Sequence, residues 1–160
     1  MKRLFWVTGA SATGKSTLVE NFNIPGSGFI ALDIDLLRGD DWQQKKDSMI
    51  RIVSALDHVP QWKIVFGTVT KKQLNSCKSL SLFDRIEVLI LTLDEDVLRK
   101  RLEIRGWPSR NIEFQADLNK SLSECKSWGR NVFSSFVNVT QLDEIGQRHC
   151  VENWLWESQK

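Results

Sequence analysis

Residues Gly9-Ala10-Ser11-Ala12-Thr13-Gly14-Lys15-Ser16 spell a complete G-x-x-x-x-G-K-[ST] sequence directly after a short apolar run. No other stretch constrains the fold so tightly, because such a loop works only as the turn between a buried strand and a helix N-terminus. Leu4 to Thr8 reads Leu-Phe-Trp-Val-Thr, β-prone with apolar residues on both faces, as a strand inside a parallel sheet requires. Thr17-Leu18-Val19-Glu20 then continues as helix. Gly9 and Gly14 permit backbone angles and close approaches that a Cβ forbids, so successive N–H groups turn inward around phosphate oxygens. Lys15 adds a point charge for the β- and γ-phosphates, and the Ser16 hydroxyl suits the Mg²⁺ that accompanies a nucleoside triphosphate. The stretch Gly9 to Thr17 is therefore the candidate nucleotide-binding element, with Ser16 as a metal ligand.

The remainder of the chain alternates strand-like and helix-like segments. Phe29 to Ile34, Trp62 to Val69, Ile86 to Leu93 and Phe136 to Val139 read as further strands, the fourth strand carrying a continuous Val-Leu-Ile-Leu. Met49, Ile52, Val53 and Leu56 recur at i, i+3, i+4, i+7 as one helical face. Asp94 caps a helix that stops at Arg105-Gly106 with Pro108 beyond, Phe114, Leu118, Leu122 and Cys125 mark another, and Thr140 opens the last. This alternation predicts an α/β sandwich on a parallel sheet. A length of 160 residues, with no repeat and only a turn at Pro25-Gly26-Ser27-Gly28, predicts one domain over 1–160.

Charge and cysteines exclude several classes. With 22 basic against 20 acidic residues there is no global electrostatic case for nucleic acid or an anionic membrane as partner, so anion binding must be local. Cys77, Cys125 and Cys150 are odd in number and widely spaced, which indicates neither a disulfide framework nor a zinc site. No apolar run approaches membrane-spanning length, and the expectation is a cytoplasmic chain with a small-molecule partner.

Three further groups carry candidate chemistry. Asp33 and Asp35 close the second strand, where side chains two apart share a face and where ligands collect in open α/β sheets. They either serve the site, holding a metal-bound water or orienting an acceptor hydroxyl, or cap the following turn. Arg38 either meets an anionic acceptor group or is solvated. Arg101 and Arg105 are like charges at i, i+4, an arrangement that an intervening phosphate would relieve, and Arg110 extends the basic group past Gly106-Trp107-Pro108. A solvated basic face is the other reading. Gly67 at the end of the third strand brings backbone close to substrate, and Trp42 is the tryptophan placed to line an acceptor pocket.

On these residues the chain resembles the small P-loop kinases of the adenylate, shikimate and gluconate kinase type across nearly its whole length. The resemblance rests on the phosphate loop, Ala31-Leu32-Asp33-Ile34-Asp35, Gly67, and the helix Leu98 to Gly106. It implies a three-layer sandwich around a five-stranded parallel sheet in order 2-3-1-4-5, Mg·ATP as donor, and a short lid at about 101–115 whose arginines close over the transferring phosphoryl group. By the same resemblance Asp33 sits near the metal, Asp35 near the acceptor as hydroxyl-orienting group or base, and Lys15, Arg101 and Arg105 stabilise the transferring charge, with Arg110 and Thr140 toward the nucleotide. The third strand lacks the family's usual acidic residue, and the stretch Arg38 to Lys46 matches none of those kinases. The chain thus reads as an ATP-dependent phosphotransferase acting on a nucleoside, nucleotide or hydroxyl compound. The alternatives are a regulatory nucleotide-binding protein and a GTPase-like switch, the latter without an Asn-Lys-x-Asp guanine-reading sequence.

Overall fold

The computed structural model describes residues 1–160. Five strands, β1 (Arg3–Gly9), β2 (Phe29–Asp33), β3 (Trp62–Phe66), β4 (Arg85–Thr92) and β5 (Val132–Asn138), form one sheet in the order β2-β3-β1-β4-β5. Every neighbouring pair is parallel, so each connection must cross a face of the sheet. Five helices lie in those crossings, α1 (Lys15–Phe22), α2 (Trp42–Ala55), α3 (Lys71–Asn75), α4 (Glu95–Ile104) and α5 (Ser109–Glu124), and α6 (Glu144–Glu157) follows β5. None is long and apolar enough to cross a membrane.

Strand periodicity assigns the core to two layers. Phe5 and Val7 of β1 pack on one face with Leu18 and Phe22 of α1, Leu98 and Leu102 of α4, and Trp154 and Leu155 of α6. Leu4 and Trp6, one residue out of phase, pack on the other with Met49, Ile50 and Val53 of α2. Full burial of side chains of this size contributes about 1.5–3 kcal/mol each, which explains why β1, buried on both faces, reads as an unbroken apolar run. Helix α5 lies across the carboxyl end of the sheet. Ile112 and Ala116 join the first layer and Leu122 the second, while the Asn119 carboxamide bonds both the N–H and the carbonyl of Leu93, at 3.1 and 2.8 Å.

Several element boundaries depart from expectation. The buried stripe of α2 runs through Lys46, Met49, Ile50 and Val53, and Ile52 faces outward; the turn at Leu56–His58 ends the helix before the expected face is complete. The strand β5 begins at Val132, because Ser134 and Ser135 dilute its apolar pattern on the exposed sheet edge. Asp94 occupies the N-cap of α4 without bonding its amides; its carboxylate accepts from Asn138 Nδ2 at 2.8 Å instead. Thr140 does not open α6. Its hydroxyl accepts from the Asp94 N–H, and Asp143 caps the helix through the Gly146 N–H.

Candidate active site

The loop between β1 and α1 presents bare amides to a cavity. Gly14, at φ +94°, is the N-cap of α1 and supplies no side-chain acceptor, so the first-turn N–H groups stay free for an anion at the positive end of the helix. A Cβ on Gly14 would lie 2.4 Å from Gln147 Oε1, and one on Gly9 would lie 2.6 Å from the Leu91 carbonyl. The loop thus reaches its shape only with glycine at both ends. Ala12 also takes a left-handed φ of 71°, a conformation costing roughly 1 kcal/mol for a residue with a Cβ. Arg101 holds it there, its Nη1 donating to the Ala12 carbonyl at 3.1 Å.

Further bonds fix the loop. Thr13 Oγ1 donates to the Ala10 carbonyl and Thr68 Oγ1 to that of Gly9, at 2.9 and 2.8 Å. Lys15 folds over the loop with Nζ 2.8 Å from both the Gly9 and the Ala10 carbonyls. Burial lowers its pKa to about 8 against the attraction of Asp35 and Asp33, and Arg105 lowers it further. The Ser11 N–H donates to Gln115 Oε1 of α5 at 2.7 Å.

The cavity measures about 690 Å³, within the range of small-molecule sites. On one side stand Ser11 to Thr17, apart from the buried Thr13, together with Arg105 and Gln115; on the other stand Asp33, Asp35, Trp42, Lys46 and Gln73. Trp107 and Phe114 add apolar wall. Strand β2 ends at Asp33, and Asp35 lies in the 3-10 turn Ile34–Leu36, so the two carboxylates reach one cavity without sharing a strand face as expected. Asp33 Oδ1 accepts from the Asp35 N–H at 2.9 Å, so capping and cavity placement coexist. Burial raises the Asp33 pKa, against the hydrogen bond from the Asp35 backbone.

The remaining expected site residues separate in space. Gly67 lines the cavity, yet the close approach that demands glycine is to Ile34, whose Cγ2 would sit 2.2 Å from an added Cβ. Arg105 lines the cavity, whereas Arg101 braces the loop from behind. Arg38 and Arg110 are exposed and outside the lining. Arg110 lies in the first turn of α5. The corner from Arg105 to Pro108 is clamped by Arg99, which bonds both carboxylate oxygens of Glu113 at 2.6 and 2.9 Å and also Glu95. Asp96 and Lys100, at the same i, i+4 spacing as Glu95 and Arg99, form no ion pair.

Lys46, Gln73, Gln115 and Gln147 were not singled out from the sequence. Lys46 had a signal, standing one turn after Trp42 and one turn before Met49 and Ile50 on a single stripe. The glutamines had none, since their contacts arise only from tertiary packing: Gln115 meets Ser11 across 104 residues.

The donor set fits a nucleotide with its metal. No group of three or more His, Cys, Asp or Glu side chains converges; Ser16 and Asp33 line the cavity with oxygen donors of the kind Mg²⁺ takes.

No protein-family model matches the chain, and no curated protein sequence does. Solved structures match its fold. A sugar kinase from Janibacter sp. superposes with a TM-score of 0.69 at 13% identity over 97% of this chain and 95% of that one. Shikimate kinase from Bacteroides thetaiotaomicron gives 0.57 at 15% over 99% of each. Thymidylate kinase from Candida albicans gives 0.57 at 13% over 99% and 92%. The sheet order and the helices on both faces are those of the small P-loop kinase fold.

Proposed function

We propose that this chain, built on the small P-loop kinase fold, transfers the γ-phosphoryl group of ATP to a hydroxyl of a small-molecule acceptor. The observation that carries the reading is convergence: Lys15, Asp33, Asp35 and Arg105 line one cavity with the bare amides of α1. A protein that only grips nucleotide has no need of two carboxylates facing its own phosphate loop.

The residues divide the work. Loop amides and Lys15 hold the β- and γ-phosphates. Ser16 and Asp33 would hold Mg²⁺, which when bound neutralises phosphate charge. Asp35, whose carboxylate is exposed to the cavity, orients the acceptor hydroxyl and takes its proton as the oxygen bonds to the γ-phosphorus and the bond to the β–γ bridging oxygen breaks, releasing ADP. Arg105 stabilises charge spreading over the transferring oxygens, and Arg101 is a positioning residue acting through Ala12.

The test is an ATP-consumption screen over nucleosides, nucleoside monophosphates, sugar acids and neutral polyols, with mass detection of the phosphorylated product. Product formation is expected with at least one class. Asp35→Asn should lower that rate on the order of 100-fold or more while leaving ATP affinity in place. Normal transfer by this variant removes Asp35 from the chemistry, and nucleotide binding without product from any class favours a regulatory protein.

A further inference from the structure

Lys46 is the most unusual cation in the molecule. It is only 3% exposed, it lines the cavity, and none of the ion pairs includes it. Lysine is rarely this buried without a partner, and the Lys46 ammonium, which has no hydrogen bond or ion pair, keeps contact with solvent only where it meets the cavity. The groups beside it in the chain and the nearest thiol supply no counter-charge. The Asp47 carboxylate accepts from the Ser79 N–H and hydroxyl at 2.8 and 3.0 Å and pairs with Arg51. The Lys45 ammonium stacks over the Trp42 ring at 4.1 Å. The Cys77 thiol, which faces Lys46 from the turn after α3, has its pKa pushed up to about 11 by burial, so it stays neutral and is no counter-ion. Asp33 and Asp35 share the cavity but stand beyond ion-pair distance.

We infer that Lys46 is the anion-recognition residue of the acceptor subsite, and that the acceptor carries a carboxylate or phosphate in addition to its attacking oxygen. The phosphate loop accounts for the donor's charge on the opposite side of the cavity, leaving Lys46 to a second anion. Trp42, one helical turn earlier on α2 and half-exposed, gives the same ligand an apolar wall. Arg38, the cation expected in this role, is exposed and outside the lining. Burial lowers the Lys46 pKa, and a bound anion reverses that cost, so ligand charge is read strongly here. The assignment rests on the phosphotransfer reading only for the word acceptor; anion binding at Lys46 is measurable without any turnover.

The experiment is calorimetry on the protein saturated with Mg²⁺ and a non-hydrolysable ATP analogue. Three pairs of probes each set an anion against a neutral relative: shikimate and its methyl ester, gluconate and gluconamide, thymidylate and thymidine. In the unaltered protein at least one anion should bind tenfold or more tighter than its neutral counterpart, and the pair showing it distinguishes carboxylate from phosphate. Lys46→Met, which keeps the apolar stem, should erase the preference, and Lys46→Arg should keep it, with circular dichroism and ATP-analogue affinity confirming that both variants fold. Equal binding within every pair, no binding of any anion, or a preference that survives Lys46→Met overturns the assignment. Product formation from a neutral acceptor in the parallel screen would leave phosphotransfer standing while Lys46 fell.

Discussion

The two walls of the cavity are built in opposite ways. On the loop side the bare amides of α1 sit in a frame of protein bonds: Lys15 bonds two carbonyls, Thr68 bonds Gly9, Arg101 bonds Ala12 and Gln115 bonds Ser11. Across from it, Asp33 meets one backbone amide, Trp42 is half-exposed, and Lys46 has no ion-pair partner. A braced wall meets its ligand with little reorganisation, which suits the triphosphate common to all reactions of this kind. A wall with unmet charge draws its missing partners from the ligand, and that is where selectivity arises. On the proposed reading, this contrast assigns the donor to one wall and the acceptor to the other.

Removing the centre of the braced wall should have the largest effect. Lys15→Met is expected to lower ATP turnover on the order of 1,000-fold or more with the fold retained, while the anion preference at Lys46, measured by calorimetry without turnover, survives. Loss of both together would show that the two walls form one cooperative unit. A finer cut separates the arginines. Arg105→Ala, at the cavity, should reduce kcat on the order of 100-fold. Arg101→Ala, behind the loop, should lower stability by about 1 kcal/mol and raise the KM for ATP more than it lowers kcat. Equal kcat losses from both would place Arg101 on the reacting phosphoryl group and erase its bracing role.

Legibility in the sequence follows the same division. The loop is a contiguous run whose glycines, lysine and serine each answer a local demand, so eight letters suffice to specify it. The sheet was readable from β1, β3 and β4, whose apolar runs reflect burial in the sheet; the strand order came by resemblance, since periodicity says nothing of which strands are neighbours. The far wall is assembled from β2, the 3-10 turn, α2 and α3, and its identity depends on how those elements rotate. The expected face of α2, Met49, Ile52, Val53 and Leu56, begins after Lys46, whereas the buried stripe is Lys46, Met49, Ile50 and Val53. Gly67 was readable as a close approach, but its partner, Ile34, was not.

The braced wall also carries a pH signature. Lys15 titrates near 8 in the folded chain and near 10.5 when unfolded. Between those values the unfolded state binds more protons, so this group makes the ligand-free protein more stable as pH rises from about 8 to 10.5. Its effect on binding has the opposite sign. The phosphates need the ammonium, so ATP affinity, measured with a metal chelator present, should fall by up to about tenfold per pH unit above pH 8. Asp33, Asp35 and Arg105 face the same ammonium, and comparison with Lys15→Met cancels whatever they contribute on their own. Melting and ATP-binding profiles of the two proteins between pH 7 and 10 supply the measurement. If both differences vanish, the loop carbonyls of Gly9 and Ala10 hold Lys15 charged throughout, and the wall is braced more tightly than burial alone implies.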